Sequence, residues 1–312
     1  MIDFRKEVYN QEIKERFLNT IDLSQYPPRW WERVFEKTSI FEQSKNKDLY
    51  AFTTPDIIEF YKFLDVASFT PLMVYNNNLI KYAQWALNEN LVFDGQNHFD
   101  ELDTDMLFNC VSKIKINQSI LSYEDFSYLI SHQIKNEQDK YIFYCLFEGI
   151  KGKNYQDIVN MKLTDIDENK MIVHLESRDI SIPQEFIDIC HTADSQKVYE
   201  GLGNTETITP LIPGITILKE KHNSQGKDIN RTVYNTIYRN IESIKELSGV
   251  VSAKTIQVSG MIYYLNKRAD EVGMPVEDLI YDLDKCQDIV DKYQFNLDTR
   301  RRWLIQYKDF LH

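Results

Sequence analysis

Residues 138–150, QDKYIFYCLFEGI, place apolar side chains all around a helix from Tyr141 to Phe147. A helix without a polar face has to be enclosed, so the rest of the chain must supply the elements that surround it. The composition points to helices for that role. Among 312 residues only 10 are Gly and 8 Pro, while Leu, Ile, Lys and Glu are abundant. Hydrophobic residues make up 43% and charged residues 27%, the balance of an ordered globular chain. The length leaves room for two domains.

Helical periodicity opens the chain over residues 3–19, where Phe4, Val8, Ile13 and Phe17 fall near one face. SQYPPRWW then interrupts it, because paired prolines cannot donate and impose an extended turn. TTPDIIEFYKFLDV starts a helix with a Thr cap and Pro in the first turn, and SFTPLMVYNNNLIKYAQWALNEN repeats that start at Thr70-Pro71. Its stripe is Leu72, Tyr75, Leu79, Tyr82 and Ala86, and a short helix over Asp103 to Lys113 closes the bundle. A new domain is expected near Gln118, followed by a helix capped by Ser122 with Glu124 and Asp125 in its first turn. Residues 171–183 read as a hairpin with Pro183 ending its second strand, and everything after Asn230 reads as helical. The domains expected are an N-terminal helical segment 1–45, a helical bundle 46–117 and a larger domain 118–312.

No window holds the roughly 18 apolar residues of a spanning helix, and the N-terminus is charged from its third residue, so an intracellular protein without a membrane partner is expected. Cys110, Cys145, Cys190 and Cys286 are dispersed without ligand spacing, as are His98, His132, His174 and His191; buried reduced thiols, no metal and no cofactor follow. Gly201 and Gly203 lack a nucleotide-binding frame, and Trp30, Trp31 and Trp85 read as core. A net charge of -12 disfavours nucleic acid as a partner, yet positive charge gathers in residues 219–231, 266–268 and 299–303. An acidic body with basic patches can still hold DNA.

The order of these pieces resembles the tyrosine recombinase (phage integrase) family over about residues 45–307. The motifs that carry the resemblance are the linker with its S-x-E-D start, the apolar helix ending in Gly149, DIVNMKLTDID (157–167) and the hairpin ending in ISIP. A long insertion follows, and then the helix SAKTIQVSGMIYYLNKRADEVGM (252–274). The resemblance implies a mainly α fold: a core-binding (SAM-like) helical domain and a catalytic-type α domain with a small β-hairpin or sheet, the two lobes clamping duplex DNA. It also implies a set of cations around the scissile phosphate and a tyrosine nucleophile. Here the first arginine position is Asn154, with Lys151 and Lys153 beside it. The hairpin lysine has no clear counterpart and Arg178 stands in its region. The histidine and second arginine of the H-x-x-R helix are Lys254 and Gln257. The later Gly-His pair falls near Tyr293 and Gln294, and Trp303 occupies the tyrosine position with Tyr307 one turn beyond.

Such a set has lost several oxyanion donors together, while Lys and Gln can still hold a phosphate. Within the family, the chain is similar to catalytically inactive master repressors of SPβ-type prophages, the YopR-like proteins. That resemblance implies sequence-specific binding of operator DNA in a bacterial cytoplasm, repression of phage lytic genes, and no enzymatic activity. The DNA-contacting candidates are Asn76, Asn77 and Lys81 on the 68–90 helix, Lys151, Lys153, Asn154 and Arg178, and the insert residues Lys219, Lys221, Lys227 and Arg231. Lys254 and Gln257 join them, with Arg300, Arg301 and Arg302 near the C-terminal end of the sequence. The alternatives are an active recombinase using Tyr307 with Arg239 or Arg268, and a protein-interaction module that has lost DNA contact altogether; a protein regulator as a further partner is left open.

Overall fold

The computed structural model describes residues 4, 7–21, 29–201, 207–224, 226 and 228–312. Lys227, Pro27 and Pro28 lie outside the described residues. The chain divides into two compact units, residues 1–115 and 116–312.

The first unit holds α1 (Gln11–Leu18), α2 (Arg29–Lys45), α3 (Thr54–Phe63), α4 (Phe69–Asn88) and α5 (Thr104–Phe108), and α6 (Lys113–Ser119) spans the division. Thr53 caps α3, and the Asp56 carboxylate accepts a hydrogen bond from the Thr53 amide at 3.2 Å. The cap of α4 is Ser68, two residues before the expected Thr70, so the helix begins at Phe69. The helix expected over 103–113 is broken, with α5 ending at Phe108 and α6 beginning at Lys113.

The residues before 46 share the bundle's core. Phe17 and Trp31 meet edge-on at 4.9 Å, Phe17 and Tyr82 at 5.0 Å, and Phe35 and Tyr82 at 5.2 Å. Inside this aromatic shell the Lys14 ammonium donates to Glu42 Oε1 at 2.6 Å and Asp48 Oδ2 at 2.7 Å, and all three side chains are buried. Tyr82 donates to the other oxygen of Asp48 at 2.9 Å, and Thr38 to Glu42 Oε2 at 2.9 Å. One ammonium thus faces two carboxylates. Burial, opposed by Lys14 and reinforced by Asp48, raises the Glu42 carboxyl to about 7.

In the second unit α7 (Tyr123–Tyr128) begins where the Ser122 hydroxyl accepts from the Asp125 amide at 3.0 Å. α8 (Glu137–Phe147) is buried at every position from Tyr141 to Phe147, and α10 (Gln184–Ser195), α11 (Ile229–Ser243) and α12 (Ala253–Val272) pack around it. α9 (Gln156–Asn160) is fixed by the Tyr141 hydroxyl, which donates to the Ile158 carbonyl at 2.8 Å. The hairpin is present as β2 (Ile172–His174) and β3 (Asp179–Ser181), with Val173 opposite Ile180. β1 (Ile166–Asp167) extends it to three antiparallel strands, and β4 (Val198–Glu200) with β5 (Ile208–Pro210) forms a second pair inside the insertion. α13 (Val276–Leu279), α14 (Leu283–Tyr293) and α15 (Arg300–Tyr307) complete the unit. The architecture is the mainly helical one that the resemblance implies, and all four cysteines are free and buried. No helix among the described residues is long and apolar enough to cross a membrane.

Candidate nucleic-acid interface

The first turn of α12 is set by Ser252, whose hydroxyl accepts from the Thr255 amide at 3.2 Å while the Thr255 hydroxyl accepts from the Ser252 amide at 2.8 Å. Ile256 and Val258 turn into the core, which leaves Lys254 exposed and Gln257 half-exposed one turn apart. The helix's height on α8 is fixed at Gly260: a Cβ there would lie 1.9 Å from the Phe147 carbonyl oxygen. Tyr293 donates its hydroxyl to that same carbonyl at 2.5 Å, so the α8 terminus is gripped from two sides. Lys254 and Gln257 therefore stand on a rigid frame at the positive end of a 20-residue helix.

The loop after α8 brings Lys151, Lys153 and Asn154 to the surface, Lys151 half-buried and the other two exposed. Gly152, Asn154 and Tyr155 all have positive φ, at 66°, 53° and 66°. Gly152 is needed because Asp157 Oδ1 would sit 2.5 Å from a Cβ. Lys151 lies 5.5 Å over the Tyr155 ring. Arg178 supports this loop from behind and does not face outward as expected. Its guanidinium lies 3.2 Å from Asp157 Oδ2 and donates to the Gly149 carbonyl at 3.1 Å. The ion pair is poorly aligned, since Asp157 Oδ2 and Arg178 Nε complete no hydrogen bond.

The insertion corrects two further expectations. Lys219 donates to Asp194 at 2.5 Å and to the carbonyls of Thr216 at 2.6 Å and Gly214 at 3.0 Å, so all three of its protons are used. Lys221 lies against the Tyr199 ring, 3.0 Å from its centroid. Burial lowers it to about 8, against the pull of Asp139 and with the push of Arg239. Both lysines fold the insert onto α8 and α10. Arg231 remains exposed on α11.

On α4 only part of the expected set faces outward. Asn76 is buried and accepts from the Tyr61 hydroxyl at 2.7 Å, so it is a packing residue, whereas Asn77 and Lys81 are exposed four residues apart. Near the C-terminal end, the Arg300 guanidinium stacks 4.6 Å from the Tyr281 ring; Arg301 is exposed and Arg302 half-buried. Tyr307 is buried on Trp303 at 5.2 Å, receives a hydrogen bond from Gln306 at 2.9 Å, and is pushed up to about 12 by burial. Arg268 is held by Asp288 at 2.8 Å and by the Lys285 carbonyl at 2.6 Å.

Sequence reasoning missed the outer face of α11. Val233, Ile237 and Ile241 turn inward, and Arg231, Tyr234, Tyr238 and Arg239 turn outward beside the 151–155 loop. Each tyrosine is 56% exposed, a high value for two aromatics on one helix face. The signal was present, as three and seven residues separate Arg231 from Tyr234 and Tyr238.

These features sit on a chain whose two units correspond to known domains. Residues 8–88 match the family described as "MrpR, N-terminal core-binding domain", and residues 120–311 match "MrpR, C-terminal catalytic domain". A relative from Bacillus subtilis (strain 168), named "SPbeta prophage-derived uncharacterized protein YopR", is 22% identical over 320 aligned residues, covering 98% of this chain and 94% of the relative. With the fold, its division and both domain matches in agreement, the chain belongs to the MrpR family, which has core-binding and catalytic domains of tyrosine-recombinase type.

Proposed function

We propose that this protein is a sequence-specific DNA-binding repressor of phage lytic genes, using a recombinase-type fold to grip the duplex without cutting it. The observation that supports the reading is the first turn of α12, where Lys254 is exposed and Gln257 half-exposed, at the positions to which the sequence resemblance assigns histidine and arginine. An ammonium and an amide at a helix N-terminus suit a phosphate held in place. Neither reproduces the bidentate fork by which an arginine grips two phosphate oxygens at once. The exposed Lys153, Asn154, Arg231 and Lys254, with the α11 tyrosines, give the second unit a polar and basic contact set despite the net charge of -12. The core-binding domain supports duplex DNA as the partner, and the prophage origin of the YopR relative supports a prophage setting in the cytoplasm of a bacterial host.

A genome-wide footprint of the tagged protein tests the reading. Discrete peaks beside promoters of phage lytic genes are expected, and a footprint without peaks overturns it. The rival is an active recombinase with Tyr307 as nucleophile, favoured by its place one helical turn after Trp303, the expected position. Burial moves this phenol away from the phenolate that attack requires. Incubation with a suicide DNA substrate is expected to give no covalent adduct; an adduct that disappears in Tyr307→Phe would reverse the assignment.

A further inference from the structure

The second unit carries an open groove of about 860 Å³ on the side of α12 that faces α7. Its floor is apolar: Ile120, Leu121 and Ile262 are buried there, Phe310 also lines it, and Tyr123 stacks on Tyr263 at 4.7 Å. The Leu121 amide is already satisfied by the Ser259 hydroxyl at 2.9 Å, so the floor presents side chains rather than hungry backbone. Carboxylates stand along the rim. Asp125 is engaged by the Ser122 hydroxyl at 2.8 Å, whereas Glu124, Asp270 and Asp309 are exposed and form no ion pair among the described residues. Lys267 and His312 also line the groove, so acid outnumbers base.

An apolar floor under unpaired carboxylates repels DNA phosphates and complements a cation that brings apolar surface with it. We infer that this groove is a docking site for a partner protein's peptide segment, one carrying lysines or arginines around an apolar side chain. The inference goes beyond the DNA-binding reading and uses none of its residues. An apolar residue would lie over Ile262 and Tyr263, and flanking cations would meet Glu124 on one wall and Asp270 and Asp309 on the other.

The test uses the full chain and a fluorescein-labelled peptide KKWLLKK, with EEWLLEE as its counterpart, followed by fluorescence anisotropy. The basic peptide is expected to bind and the acidic one not to bind. The combined change Glu124→Gln, Asp270→Asn and Asp309→Asn is expected to weaken binding by roughly tenfold or more, as three rim ion pairs imply. A control triple, Glu277→Gln, Asp278→Asn and Asp284→Asn, lies on exposed carboxylates elsewhere and is expected to leave the affinity unchanged. Equal weakening by both triples would mean general attraction to an acidic chain and would overturn the assignment. So would equal binding of the two peptides. Sedimentation in which the groove triple abolishes self-association would assign the groove to a second copy and overturn it as well.

Discussion

Lys254 and Asn76 show how far a residue's chemistry depends on the neighbour that its fold provides. Among the described residues Lys254 forms no ion pair, and it is exposed at a capped helix start. Lys254→Ala is expected to weaken DNA binding uniformly across sequences and to reduce the slope of log affinity against log salt by about one, measured by anisotropy over a salt series. Asn76 lies in a run of three asparagines that are alike on paper. Tyr61, fifteen residues earlier, removes it from the surface. Asn76→Ala is expected to cost about 1–3 kcal/mol of stability in urea denaturation by leaving the Tyr61 hydroxyl without its acceptor. Lys219 and Arg178 misled the sequence reading for the same reason: their partners, Asp194 and Asp157, are fixed by tertiary packing that no local spacing announces.

Among the elements, α8 was legible because an all-round apolar helix has few places to go, and α7 because Ser122 with its acidic first turn is a local signal. β4 and β5 were not, since strands of three residues carry too little periodicity to stand out. α11 had the periodicity, and its outer face is expected to contact DNA: Tyr234→Ala with Tyr238→Ala should lower affinity by at least about tenfold while leaving the melting temperature nearly unchanged, because both rings are mostly in solvent. The α1–α2–α4 bundle makes a different prediction through Glu42. Its proton is held more tightly folded than unfolded, so its stabilisation is complete below its ordinary value of 4.5 and is lost as pH rises through about 7. Trp30, Trp31 and Trp85 report on this unit. The urea midpoint of their fluorescence is expected to be lower at about pH 8 than at about pH 5.5, a difference that Glu42→Gln removes.

At the level of the whole chain, the order of the motifs was more informative than any one of them, because the core-binding and catalytic-type domains match in that order while each short motif alone is weak. The total charge was a poor guide for the opposite reason. It sums an acidic groove rim with the exposed cations Arg231, Arg239 and Lys254, which lie on other elements. Contacts made against a net charge of -12 must rest on short-range phosphate neutralisation, so affinity for operator DNA is expected to fall steeply between about 50 and 200 mM salt. A shallow dependence, read by anisotropy on one duplex, would count against the α11–α12 surface.

The backbone at residues 152–155 bears on which side chains position 154 can accept. Asn154 occupies the first-arginine position in a left-handed conformation, which asparagine tolerates better than most side chains, and Tyr155 beside it is left-handed too. An arginine at 154 would have to carry its guanidinium on that left-handed main chain, so the turn decides what a longer side chain there could reach.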